Sequence, residues 1–282
     1  RGQLHQMKDQ RAAAATVCDW SEEARTAEAA YQLIDRAFVE LATRRPRSKH
    51  IQVPIATLVA VAPRAPVASE TDLLRGPSVD PYAVNKIAAA LKQAKRPLFV
   101  LGGGAAKGGS LWGNLLHRAG AAAFTSYAGR GCVPPDYPLS YGAFLARPDT
   151  PNVFAKADLL IVVGSELAEV DLWKDHLGHS CPMIRVDIDP AVLSGDGHPD
   201  SEQHIGDAYR TFEAVYDALE GTAPKTDWNA KEITATRARW RAETDAERPG
   251  IVPICDALRE ATPPETMIYS DMTQFAYVAK EV

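Results

Sequence analysis

Arg96-Pro97-Leu98-Phe99-Val100-Leu101-Gly102-Gly103-Gly104-Ala105-Ala106-Lys107-Gly108-Gly109 is the stretch that decides the fold. A short apolar run suited to a buried strand breaks into glycines. Ser110 to His117 then resume at helical spacing, with Leu111 and Leu115 on one side. Strand, glycine turn and helix open a nucleotide-binding half in doubly wound α/β sheets. Glycine lets the backbone turn tightly and approach a phosphate, and a helix N-terminus offers unpaired N–H groups. The strict dinucleotide fingerprint is not met, because its third glycine, counted from Gly102 and Gly104, falls on Lys107. Any parallel βα unit also needs such a turn. A nucleotide site and a purely structural turn both stay open at this point.

Downstream the same rhythm continues. Residues 97–101, 121–126, 158–163 and 183–187 are short apolar runs that predict strands, and 204–207 predict a last short one. Residues 110–118, 150–157 and 208–219 predict helices between and after them. Asp80-Pro81 opens a further helix upstream, with Asp as cap and Pro at the first position. Its face carries Val84, Ile87, Ala88 and Leu91. Near-continuous apolar strands separated by helices predict an α/β fold, a doubly wound parallel sheet covered on both faces.

The flanks read as partial α/β units. In residues 1–55, Val17-Cys18-Asp19-Trp20 closes a short strand in this reading, and Ser21 with Glu22 and Glu23 starts a helix. Ala30, Leu33, Ile34, Ala37, Phe38 and Leu41 mark an amphipathic helix, and His50 to Ile55 a strand. Residues 56–79 read as a proline-rich linker. Residues 221–248 are a charged connection with helical character from Asn229 to Glu247, and Ile251 to Glu260 a further helix. Glu265 to Asp271 predict the first strand of a third α/β unit, with a helix-like pattern beginning after Thr273. Both ends read as interior sequence, so the chain is expected to be a piece of a longer polypeptide.

Composition narrows the function classes. With 46% hydrophobic and 24% charged residues, the chain reads as a globular protein. A net charge of −5 and the lack of a basic stripe argue against nucleic-acid binding. No apolar run is long enough to span a membrane. Cys18, Cys132, Cys181 and Cys255 are scattered without a CxxC pair and are expected to be reduced thiols of a cytoplasmic protein. His176 and His179 lack a third ligand nearby in sequence, and no serine sits in a nucleophile elbow.

Taken in order, these segments resemble the thiamine-diphosphate-dependent enzymes of the acetolactate synthase and 2-oxo acid decarboxylase superfamily. Residues 1–55 resemble the C-terminal part of the pyrimidine-binding domain, through Leu4-His5-Gln6-Met7, Asp19-Trp20-Ser21, Ala37-Phe38 and His50-Ile51-Gln52-Val53-Pro54. Residues 80–220 resemble the central nucleotide-fold domain, through Arg96 to Gly104, Ala157 to Gly164, Val186-Asp187-Ile188-Asp189-Pro190 and Ile205-Gly206-Asp207. Residues 249–282 resemble the start of the diphosphate-binding domain.

The resemblance implies thiamine diphosphate and Mg²⁺ as cofactors of the parent enzyme. It also implies a small-molecule 2-oxo acid substrate and a homodimer or homotetramer. The carbanion left by decarboxylation would be protonated or passed to a second carbonyl, and a specialised decarboxylase acting on a guanidino 2-oxo acid is one form of this. The family's activating glutamate would precede Arg1, and its Gly-Asp-Gly metal motif would follow Val282. No catalytic residue is therefore assigned here, and the 282 residues alone are expected to be inactive. Gly195-Asp196-Gly197 spells the metal motif, but no buried strand leads into it, and Ala230 follows the next Asn, Asn229.

For the cofactor, the resemblance implies Thr273 and Gln274 as diphosphate contacts; a cap for the next helix is the other reading of Thr273. Relatives differ over a central-domain nucleotide. FAD or ADP would lie near Gly102, Gly103, Gly104, Gly164, Asp187, Asp189 and Asp207. Ser165 to Trp173 has no arginine where FAD-binding synthases carry one, and its carboxylates would repel a pyrophosphate. The alternative is a stand-alone FAD- or ADP-binding doubly wound module without catalysis.

Overall fold

Each buried-strand run from residue 97 to 187 joins a single sheet. The structure, a computed structural model, describes residues 7–65, 76–194, 201–263 and 266–282. By contacts the chain divides into two units, Arg1–Pro77 and Ser78–Val282.

The first unit contains α1 (Gln10–Ala15), β1 (Trp20–Glu23), α2 (Ala27–Thr43), β2 (Lys49–Gln52) and α3 (Ile55–Leu58). β1 and β2 pair in parallel, with Ser21 opposite His50, and the Ser21 hydroxyl lies 2.8 Å from His50 Nδ1. The expected strand over 17–20 begins only at Trp20, and Ser21-Glu22-Glu23 is strand rather than helix start. Thr26 caps α2 instead, its hydroxyl accepting the Ala29 N–H. The polar run misleads because strand pairing satisfies the Ser21 backbone, leaving its side chain to bond across the ladder.

Glu40 ties α2 down. It accepts from Trp20 Nε1 at 2.8 Å and Arg36 Nε at 2.9 Å, with Lys49 at 3.3 Å. These donors, the indole first, hold its carboxyl down to about 2. A carboxyl depressed by folding stabilises above its ordinary value of 4.5 and loses that contribution as pH falls toward 2.

The second unit runs α4 (Pro81–Gln93), β3 (Pro97–Leu101), a 3-10 turn over Gly103–Gly108, α5 (Ser110–Ala119), β4 (Ala122–Thr125), β5 (Ser140–Gly142), α6 (Pro151–Phe154) and β6 (Leu159–Val163). It continues through α7 (Glu169–Leu172), β7 (Met183–Asp187), α8 (Pro190–Ser194), β8 (Ser201–Ile205), α9 (Ala208–Ala218), α10 (Ala230–Glu247), α11 (Ile251–Ala261) and α12 (Gln274–Glu281). The sheet order is β5-β4-β3-β6-β7-β8, all parallel. This is the expected doubly wound α/β arrangement. Asp80 caps α4 through the Tyr82 N–H, and the Asp158 carboxylate accepts the Lys95 and Arg96 N–H groups at the start of β3.

Side chains alternate across this sheet and sort the two layers. Phe99 points to the α5 and α9 side, where it meets Phe212, which also packs on Trp112. Phe124 points the other way, stacking on Tyr141 and Phe154 and reaching Trp240 of α10. Ile233, Trp240 and Thr244 are the buried residues of that charged helix. Its docking is polar as well: Trp240 Nε1 donates to Asp149 at 2.6 Å.

Two expectations near the end are corrected. Residues 266–271 form no strand, and Met267, Ile268 and Tyr269 are exposed. A strand needs a ladder partner, and none among the described residues reaches this segment. The helical pattern after Thr273 does pack: Ala276, Val278 and Glu281 of α12 are buried.

Two outcomes follow from these contacts. Trp240→Ala removes a fully buried indole and should lower unfolding free energy by about 3–5 kcal/mol, read by urea denaturation. Thermal unfolding followed from pH 6 to pH 2 should show Glu40→Gln losing less stability than the unchanged protein below about pH 4.5.

Candidate cofactor-contact site

Strand order reverses between β3 and β6, with β4 on one side and β7 on the other. In a doubly wound sheet this switch point is where a ligand crevice opens at the carboxyl ends of the strands. Here the chain's own backbone fills it. Gly102 N–H donates to Val163 O at 2.9 Å, and Gly104 N–H donates to Gly164 O at 3.0 Å. A Cβ on Gly102 would lie 2.1 Å from Gly164 O, and one on Gly104 would lie 2.7 Å from Gly164 Cα. Gly164 has φ +56, a conformation that suits glycine. Trp112 Nε1 bonds Ala105 O at 2.7 Å beneath the 3-10 turn. The two turns require glycine because they touch each other.

The aspartates predicted nearby bond local backbone. Asp187 Oδ1 accepts the Asp189 N–H at 2.9 Å, and Asp189 Oδ1 accepts the Ala191 N–H at 3.0 Å. Asp207 caps α9 through the Arg210 N–H at 3.0 Å. The 165–173 segment has no arginine of its own, but Arg185 of β7 reaches it, donating from Nη2 to Ser165 O at 2.9 Å. Gly103 sits close to Ala128, 3.1 Å from a Cβ placed on it to the alanine methyl. These residues share one end of the sheet, and two of the glycine amides that a pyrophosphate would use are already bonded. FAD gains no support from this arrangement.

Thr273 and Gln274 lie elsewhere, at the start of α12. Thr273 has extended backbone, φ −108 and ψ 173, and its side chain makes no cap hydrogen bond. Its carbonyl accepts the Tyr277 N–H at 3.2 Å, closing the first helical turn. Both side chains are exposed, and the first turn holds no acidic residue. A hydroxyl, a carboxamide and the orphan amides of a helix start make a donor set that suits a diphosphate. Among the described residues no group of three His, Cys, Asp or Glu side chains could hold a metal ion. Gly195-Asp196-Gly197 lies outside the described residues. Burial pushes the Cys132 thiol up to about 11, which keeps it protonated at neutral pH.

Sequence reasoning missed Arg147, Lys174 and Glu281. Arg147 bonds Glu281 and Glu247, and Lys174 Nζ donates to Leu145 O at 2.8 Å and Arg147 O at 2.7 Å. No local pattern marks them, since their partners are distant in sequence.

A parallel six-stranded sheet with glycine turns meeting at its switch point defines a nucleotide-fold domain, and an uncapped helix start follows it in the chain. Residues 84–215 match the family described as the thiamine pyrophosphate enzyme central domain, and this part of the chain belongs to that family. A Pseudomonas aeruginosa protein described as a 2-ketoarginine decarboxylase is 36% identical over 281 residues, covering 98% of this chain and 49% of the relative. A catabolic acetolactate synthase of Raoultella terrigena is 26% identical, over 86% of this chain and 44% of the relative. The chain thus spans about half the length of the curated relatives it matches. A solved structure of a candidate thiamin diphosphate-dependent enzyme from Mycobacterium smegmatis shares the fold, with TM-score 0.54 at 20% identity over 74% of this chain and 41% of that one. Among the described residues, no helix is long and apolar enough to cross a membrane.

Gly102→Ala should destabilise the protein by about 1–3 kcal/mol through overpacking against Gly164, seen as a lower thermal midpoint. The loss should be the same with or without added FAD or ADP, as a structural glycine requires.

Proposed function

We propose that this chain is the middle portion of a thiamine-diphosphate- and Mg²⁺-dependent 2-oxo acid decarboxylase or carboligase. The observation that carries the reading is the alignment with the relative described as a 2-ketoarginine decarboxylase, which runs through 98% of the chain. It crosses both units and does not stop at the central-domain match. In this reading, residues 1–55 and 249–282 are parts of the pyrimidine- and diphosphate-binding domains, joined to the central domain by 56–79 and 221–248. The enzyme is a cytoplasmic homodimer or homotetramer, and its metal ligands lie in other segments.

When bound, thiamine diphosphate supplies the electron sink that lets a 2-oxo acid lose carbon dioxide. This chain's part is to hold its anionic end. Thr273 and Gln274 donate to the diphosphate, and the α12 N-terminus adds backbone N–H groups and positive dipole. The central domain acts as a rigid body that carries α12, with no nucleotide of its own. A stand-alone FAD- or ADP-binding module is disfavoured, because Gly102 and Gly104 bond across to β6 and Gly164.

The substrate proposed is a 2-oxo acid with a guanidino end, converted to carbon dioxide and the aldehyde one carbon shorter. The polypeptide containing this chain should be assayed with thiamine diphosphate and Mg²⁺ on 2-oxo-5-guanidinopentanoate and on pyruvate. A kcat/KM at least about tenfold higher for the guanidino acid is expected, equivalent to about 1.4 kcal/mol of discrimination. Acetolactate formed from pyruvate as the main activity would overturn the substrate, and no turnover of either would overturn the function. Gln274→Ala should raise the cofactor KM several-fold by removing a donor.

A further inference from the structure

Arg147, in the loop after β5, is 6% exposed, and two helices share its guanidinium. Glu281 of α12, 4% exposed, accepts from Nε and from Nη2, the latter at 2.9 Å. Glu247 at the end of α10 accepts from Nη1 at 2.8 Å and Nη2 at 3.0 Å. Thr244 Oγ1 adds a 3.2 Å bond to Glu281. The loop behind Arg147 is itself fixed: Lys174 bonds the carbonyls of Leu145 and Arg147 and the Thr150 hydroxyl.

Burying a charge pair brings little stability over apolar packing, but a two-pronged guanidinium–carboxylate contact fixes orientation. Orientation is what α12 needs. Its described turns, Gln274–Glu281, carry Thr273 and Gln274 at their start and Glu281 two turns later. Other contacts hold the helix along its length: the Arg130 guanidinium donates to Ala279 O, Arg248 lies 5.7 Å from the Tyr277 ring centre, and Ala276 and Val278 are buried. Gln274 sits seven residues before Glu281, two turns back on nearly the same stripe and about 10 Å along the axis. Fixing Glu281 therefore fixes the rotation at which Gln274 and Thr273 are presented.

We propose that Arg147 is a positioning residue for the cofactor's diphosphate, acting through Glu281 to set the rotation of α12. This rests on the reading of Thr273 and Gln274 as diphosphate contacts. It adds a determinant from the central domain, remote in sequence from the contact itself.

The test uses the full polypeptide containing this chain, with the unchanged protein, Arg147→Ala, Arg147→Lys and Glu281→Gln. Thiamine diphosphate affinity is read by calorimetry, and order in α12 by hydrogen exchange of residues 275–281. Arg147→Ala should weaken cofactor binding about tenfold and speed exchange in α12. The loss should fall on cofactor affinity and apparent KM rather than on kcat at saturation. Arg147→Lys, which still meets a carboxylate, should recover part of the affinity. Glu281→Gln keeps the shape and one hydrogen bond, and should weaken binding less than Arg147→Ala; it carries the test if that variant does not fold. Faster exchange in α12 with unchanged affinity would overturn the proposal, as would unchanged exchange. If the unchanged protein itself fails to bind thiamine diphosphate, the proposed function falls, and this inference falls with it. Binding by the unchanged protein and by all variants alike would overturn the positioning role alone.

Discussion

Gly104 and Gly164 meet backbone to backbone, and the second unit is arranged around that contact. β3 and β6 are the central pair of the six-stranded sheet, and their carboxyl ends turn toward each other at the switch point. A side chain at either position would force the turns apart, since a methyl carbon on either glycine would fall within 2.7 Å of backbone on the other side. The close approach there commits the Gly102 and Gly104 amides to backbone carbonyls. It also leaves a sheet end made of turns that support one another, with Asp187, Asp189 and Asp207 each bonding nearby backbone N–H groups.

The parts of this fold that were readable are those whose physics is local. Leu98 to Leu101 and Leu159 to Val163 announce buried strands because both faces are covered. Asp80-Pro81 announces a helix because cap and first turn are adjacent. What sequence hid depends on distant partners. β5 is three residues with no apolar run, and exists because Ser140 and Gly142 find β4. Ser21 to Glu23 look like a helix start until β2 supplies a ladder. Met267 to Tyr269 look like a strand, but ladder hydrogen bonds come from a neighbour, not from propensity.

The candidate contacts divide the same way. Thr273 and Gln274 came from family resemblance, because an uncapped helix start is not visible in a string of letters. The glycines were visible, but their role was not. A glycine that approaches a phosphate and one that approaches another strand have the same sequence signature. Arg147 carried no signal, since its two carboxylates stand 100 and 134 residues away.

The parallel ladder also bears on the order of assembly. Every strand pair in the sheet requires a crossover, and Leu98 must find Leu160 across more than half a hundred residues before the glycine turns can touch. Loop-closure entropy opposes such pairings early, so sheets of this kind form slowly. Local helices such as α4 and α5 can form well before the switch point closes. A contact made late is weakly developed in the transition state, so a lesion there acts mainly on the rate of opening. The glycine pair thereby becomes a latch on the lifetime of the native sheet.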